Sequence, residues 1–183
     1  SQLVTVTGQD DAVADGDAVY TIITGPAVSG DVDYTGLDAS DVVVTNVDDD
    51  ASGVVVTPTM DLVTTENGGT ASFTVVLRTQ PSADVRIAVS SSNAAEGTVA
   101  PSSLTFTSGS WNVAQVVTVT GVDDVVADGN RPYVIVTDAT SADIVYSGID
   151  VPDVSATNTD DEVPGITVTP TSGLVTTEAG GTV

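Results

Sequence analysis

Apolar and polar residues alternate with a period of two through most of the chain, the spacing at which successive side chains of an extended strand point to opposite faces. In one central stretch the alternation predicts eight strands, at 54–57, 62–65, 71–78, 85–90, 104–107, 116–121, 133–137 and 154–158. Gly, Pro, Asn, Asp and Ser fill the gaps, as turns require, with Pro81 between the third and fourth strands. In QVVTVTG (115–121) the Val side chains are expected to face a core and the Thr side chains solvent. Val and Thr dominate while aromatics are only 4%, a bias toward β-branched residues that favours pleated strands over helices. The fold class expected is all-β, with two antiparallel sheets packed face to face.

Short motifs recur at a long interval. VTVTG stands at 4–8 and 117–121, VADG at 13–16 and 126–129, VTPT at 56–59 and 168–171, and LVTTE at 62–66 and 174–178, each pair 112–113 residues apart. That interval suits one β-sandwich and not a solenoid unit, so tandem sandwiches with a repeat of about 112 residues are expected. The complete repeat is expected over 53–164, preceded at 1–52 by the C-terminal half of another and followed at 165–183 by the first strands of a third. Half a sandwich leaves strand edges and a core face open. Two arrangements would close them: neighbouring repeats of one long chain, or identical subunits completing one another head to tail in a filament.

Charge narrows the partners. Twenty-six acidic residues face three basic ones, Arg78, Arg86 and Arg131, and there is no Lys, His or Cys. A net charge of −23 disfavours nucleic acid and anionic membrane surfaces, and no apolar run approaches the roughly 20 residues of a spanning helix. Disulfides and thiolate metal sites are excluded, whereas the compartment is left open by this count. Catalysis fares poorly as well. A Ser or Thr nucleophile needs a base such as His or Lys, and a glycosidase-like carboxylate pair would lack aromatic residues to hold a sugar. No P-loop or dinucleotide fingerprint occurs. A non-enzymatic role is expected.

The acids fall in turns. Glu66 follows the second strand of the complete repeat, Asp123 and Asp124 follow the strand ending at Gly121, Asp128 lies in the same turn, and Asp160, Asp161 and Glu162 follow the last strand. Strands that end in the same direction deliver their loops to one tip, so these seven carboxylates are expected to converge. Two unit charges about 4 Å apart repel by roughly 1 kcal/mol in water and about 4 at an effective dielectric of 20. Several such pairs would rival a domain's whole stability. A hard divalent cation removes the difficulty: Ca²⁺ takes 6–8 oxygen ligands at about 2.3–2.6 Å in irregular geometry. Zinc would want nitrogen or sulfur ligands, and magnesium prefers to keep its waters. The alternative is a solvated acidic surface, in which charge would be scattered along outward strand positions. Here those positions carry Thr and Ser, and the acids gather at matching turns of both copies.

In this order the motifs resemble a Calx-β domain. TTENGGTASFTVVL (64–77), LTFTSGSWNVAQVVTVTGVDDVVADGNRPYVIV (104–136) and VSATNTDDE (154–162) are similar to its Glu-x-Gly-Gly-Thr segment, Thr-Phe segment with a Gly turn, Asp-Asp turn and closing acidic linker. The resemblance implies an immunoglobulin-like sandwich that binds Ca²⁺ at one tip through Glu66, Asp123, Asp124, Asp128, Asp160, Asp161 and Glu162. The preceding copy would contribute Asp10, Asp11, Asp15, Asp48, Asp49 and Asp50, and the following one Glu178. The chain departs from the family pattern in VVADGN and in GTVAPSSLTF, which lacks the usual Asp-Tyr. Cadherin-like repeats, with acidic linkers between sandwiches, supply the same physics from a different strand order.

Three further features are ambiguous in sequence. Trp111 is either a sugar-stacking platform or a lid on the core, and packing is the commoner use of a lone indole. The loops DVDYTGLDASD (31–41) and DIVYSGIDVPD (143–153) are either weaker cation sites or solvated loops packed down by their Tyr. Outward Thr rows suit glycan or ice contacts, yet strand propensity alone explains them. The function expected is an extracellular or cell-surface structural repeat, in an adhesin stalk or a fibre, whose tips bind Ca²⁺ and rigidify a rod. A glycan- or ice-binding module is the alternative.

Overall fold

The structure is a computed structural model, and it describes residues 1–182. Two strands come first, β1 (Ala18–Ile22) and β2 (Val42–Asn46), paired with each other alone. Nine more follow: β3 (Val54–Thr57), β4 (Leu62–Thr65), β5 (Thr70–Leu77), β6 (Val85–Ser91), β7 (Gly97–Ala100), β8 (Ser103–Phe106), β9 (Gln115–Gly121), β10 (Arg131–Ser141) and β11 (Val154–Thr159). No helix occurs among the described residues, so none is long and apolar enough to cross a membrane.

β3–β11 form an immunoglobulin-like sandwich of two sheets, ordered β4-β11-β10-β6-β8 and β3-β5-β9-β7. Every pairing is antiparallel except β4 with β11, which run parallel from Ala156↔Leu62 to Thr159↔Thr65. The period-two pattern does the sorting. Phe73, Val75 and Leu77 of β5, Val85, Ile87 and Val89 of β6, and Val117 and Val119 of β9 all point inward and are buried. Removing such side chains from water contributes about 1.5–3 kcal/mol each and drives the two faces together. Thr118 and Thr120 alternate outward as expected, while Val116, at the start of the same run, is also outward and 55% exposed.

Two strands differ from the sequence expectation. β7 falls where the pattern predicts only turns, because its four residues GTVA are followed directly by Pro101; it is a short edge strand on β9, from Gly97↔Gly121 to Ala100↔Thr118. β10 extends to eleven residues because its two halves serve different neighbours, β11 up to Ile135 and β6 from Ile135 onward.

The flanking pieces lack a second layer. Val19, Val42 and Val43 of the β1–β2 pair stand exposed. Residues 165–182 hold no named strand, only the isolated bridge Thr177↔Gly181, and Val183 lies outside the described residues. Trp111 packs against the sandwich core, and its carbonyl accepts a hydrogen bond from Leu77 N at 3.1 Å.

Candidate metal centre

Three strand ends build the site. β4 runs parallel to β11, so Glu66 and the 160–162 segment emerge side by side, joined by a hydrogen bond from Glu66 N to the Thr159 carbonyl at 3.1 Å. The end of β9 reaches the same corner, because Gly121 N donates to the Gly69 carbonyl at 3.0 Å across the start of β5. This approach requires glycine: a Cβ on Gly121 would collide with the Thr65 carbonyl and Asn158 Oδ1. Asp123, two residues on, is thereby delivered beside Glu66.

A buried polar chain lies beneath the acids. Thr64 Oγ1 donates to Asn158 Oδ1 at 3.0 Å and meets the Tyr133 hydroxyl at 2.9 Å, while Asn158 Nδ2 donates to the Val122 carbonyl at 2.9 Å. Thr64 and Asn158 are fully buried. Their satisfied bonds tie β4, β10, β11 and the turn after β9 into one support, since an unmade bond there would cost about 1–3 kcal/mol.

Glu66, Asp123, Asp161 and Glu162 each bring a carboxylate oxygen into one cluster, all within 4.8 Å of one another. Glu66 is 2% exposed, and its Oε2 accepts from Asp161 N at 3.4 Å. Glu162 Oε2 is buried with no hydrogen-bond partner among the described residues. A hydrogen bond with Glu66, with burial, a hydrogen bond with Asp160 and the charges of Glu66 and Asp161 adding to it, pushes the Glu162 carboxyl up to about 7.

The other candidate acids of this repeat line the same loops with different partners. Asp124 Oδ1 accepts from Val126 N at 2.6 Å, closing its own turn. Asp160 accepts from Glu162 N at 2.9 Å and from Gly129 N, and these backbone bonds hold its carboxyl below the usual range. Asp128 pairs with Arg131 Nε at 3.2 Å. These three shape the loops, and the four clustered carboxylates face one another.

In the preceding copy, Asp48 accepts from Asp50 N at 2.9 Å and Gly16 N at 2.6 Å, as Asp160 does, and Asp11 closes a turn on Val13 N at 2.8 Å, as Asp124 does. Burial, followed by the charges of Asp48, Asp49, Asp10 and Asp11, pushes the Asp50 carboxyl up. Asp15 lies with Asp48 and Asp50 in a cleft that Ser82 and Asp143 also line. Glu178 belongs to the exposed 165–182 segment, apart from both groups.

The long loops use their acids differently. Asp143 Oδ2 accepts from Ser82 N at 2.7 Å and Oδ1 from Val145 N at 3.0 Å; Asp153 Oδ1 accepts from Thr137 N at 2.8 Å. Burial pushes the Asp143 carboxyl up, yet the bonds from Ser82 and Val145 outweigh it and hold the group below its usual value. Tyr146 is fully buried, packing the loop down.

An all-oxygen donor set of four carboxylates, one carrying an orphaned buried oxygen, fits a hard cation such as Ca²⁺. Sequence reading missed the supports: Gly121, Asn158, Tyr133 and the buried Glu96, whose carboxylate lies 4.0 Å from Arg131 Nε. A signal existed for three of them: Gly8, Tyr20 and Asn46 stand at the matching earlier positions, Gly8 at the end of the repeated VTVTG and Asn46 in the shared Thr-Asn-x-Asp context.

Neither a protein-family model nor a curated protein matches the chain in sequence. Among solved structures, the apo form of the Calx CBD1 domain is 18% identical with a TM-score of 0.45, over 60% of this chain and 96% of that one. SSP-19, an MSP-domain protein like family member of Caenorhabditis elegans, is 13% identical with a TM-score of 0.44, over 57% and 98%. Domains 4 and 5 of the S-layer protein SbsC are 16% identical with a TM-score of 0.40, over 87% and 86%. These likenesses are partial, and the sandwich assignment rests on the chain's own strand pairing.

Proposed function

We propose that the chain is part of an extracellular array of Ca²⁺-binding structural repeats, in which the metal at each acidic tip fixes the tip loops and the linker to the next repeat. The observation that carries this reading is the burial of Glu66 against Asp123, Asp161 and Glu162, with one Glu162 oxygen shielded from water and unbonded. Glu66 and the shielded Glu162 oxygen lose hydration there while gaining like-charged neighbours, a combination unfavourable for acids with no counter-ion. A cation bound there bridges the Glu66 turn, the loop after β9 and the 160–162 linker. It stabilises the folded form by mass action and removes swivelling between repeats. The array then behaves as a rod, suited to the stalk of a surface adhesin or to a fibre.

The role is mechanical and not catalytic in this reading, with neighbouring repeats as the partners. A glycan-binding role has less to support it, since the indole of Trp111 is engaged with the core. Calorimetric titration of Ca²⁺ together with small-angle scattering tests the proposal: binding accompanied by a stiffer, longer particle is expected. Absence of binding at millimolar Ca²⁺ would refute it.

A further inference from the structure

One corner of the sandwich lies at the base of the repeat and is rigid without any metal. Tyr146, fully buried, donates its hydroxyl to the Thr79 carbonyl at 2.8 Å and accepts from Thr79 N at 3.2 Å. Asp143 accepts from Ser82 N at 2.7 Å and from Val145 N at 3.0 Å. Residues 79–82 and 143–146 thus form one cross-braced plate.

The preceding copy touches this plate. Gln80 N, between the two braces, donates to the Ala12 carbonyl at 2.7 Å, and Ser52 Oγ donates to the Val145 carbonyl at 3.4 Å. A cleft of about 620 Å³ separates the rest, lined by Val13, Asp50, Ser52, Ser82 and Val145 among others. Ala12, Val13 and Ala14 are half-buried there, whereas their counterparts Val125, Val126 and Ala127 are exposed, Val125 to 89%. The Asp11 turn on Val13 N, which sets the Ala12 carbonyl, is repeated by Asp124 on Val126 N. The second tip carries the same loop with its apolar residues exposed.

We propose that the 79–82/143–146 plate is a docking base for the acidic tip of the preceding repeat, the partner being a neighbour of the same sequence type. The Ala12–Gln80 bond and the Val145 edge are its two fixed points. The role of metal as a switch rests on the calcium reading above: a cation held by acids flanking Ala12 and Ser52 stiffens both sides of the contact, and the plate turns that stiffness into a fixed angle between repeats.

Because the chain has no Cys, spin labels at Val43→Cys and Thr105→Cys report the distance between the β1–β2 pair and the sandwich. In the parent, Ca²⁺ is expected to narrow that distance distribution relative to EDTA. Gln80→Pro removes the donor, and Ile144→Asp, at an 89% exposed position that leaves folding intact, sets a charge against the tip. Both variants should bind Ca²⁺ at the Glu66 cluster, at the opposite end of the sandwich, within roughly twofold of the parent, yet keep the broad distribution. Variants that narrow as the parent does would overturn the docking base. Should the parent bind no Ca²⁺ while its distribution is narrower than that of both variants, the base stands and the calcium reading falls. Equal widths in all three chains, with and without Ca²⁺, would overturn the base.

Discussion

Residues 4–50 and their counterparts 117–162 carry the same sequence landmarks in two settings, one without a facing sheet and one inside a finished sandwich. Hydrogen bonds closed within each segment recur in both. Asn46 Nδ2 donates to the Gln9 carbonyl at 2.8 Å as Asn158 Nδ2 does to Val122 at 2.9 Å, and Thr24 N donates to Asp41 at 2.9 Å as Thr137 N does to Asp153 at 2.8 Å. Burial is not the same. Tyr34 is 61% exposed where Tyr146 is 0%, and Val42 is 52% where Val154 is 0%. Polar contacts between the loops of one segment close within that segment, while burial and the carboxylate cluster need the strands of the other half.

The largest test of this difference is in the core. Ile135→Ala should destabilise by about 2–5 kcal/mol in denaturant unfolding, whereas the matching Ile22→Ala, on the unlayered β1, should cost under about 1. Equal losses would mean that the first copy is packed after all. Next comes the metal. At a Ca²⁺ concentration 100 times the dissociation constant, binding should raise the stability of the parent by about 2.7 kcal/mol. Glu66→Gln should remove that gain in thermal unfolding, and Glu178→Gln should leave it intact.

How much of this was legible beforehand follows from the same contrast. The strands and their inward faces could be read from alternation alone, because a half-buried sheet imposes it; β7 escaped because four residues before a proline carry too little pattern. Glu66, Asp123, Asp161 and Glu162 could be named from their positions after strands. That Asp124, Asp128 and Asp160 instead serve backbone N–H groups and Arg131 could not, since an Asp that caps a turn and one that faces a cation look alike in sequence. Gly121 recurs as Gly8 in the repeated VTVTG, yet the recurrence does not say why glycine is needed. Its need for hydrogen in place of Cβ arises only when β9 meets the 65–69 turn.

Smaller effects sharpen the picture further. Tyr146→Phe strands the buried Thr79 N–H and hydroxyl and should cost about 1–3 kcal/mol, while Tyr34→Phe should be neutral. A pH series separates proton from metal. In the metal-free fold the Glu162 carboxyl is raised from 4.5 to about 7, so the native state holds a proton that the unfolded chain has released. Stability without Ca²⁺ should therefore fall as pH rises from about 4.5 through about 7. Ca²⁺ binding must displace that proton and should tighten over the same rise. Unfolding midpoints in EDTA and in Ca²⁺ across this range should diverge toward high pH, and parallel curves would detach Glu162 from the metal.

The most direct measurement is a crystal structure of the chain grown with millimolar Ca²⁺. The expected result is one ion bonded at about 2.3–2.6 Å to oxygens of Glu66, Asp123, Asp161 and Glu162. Only water among those four carboxylates at that concentration would contradict the account.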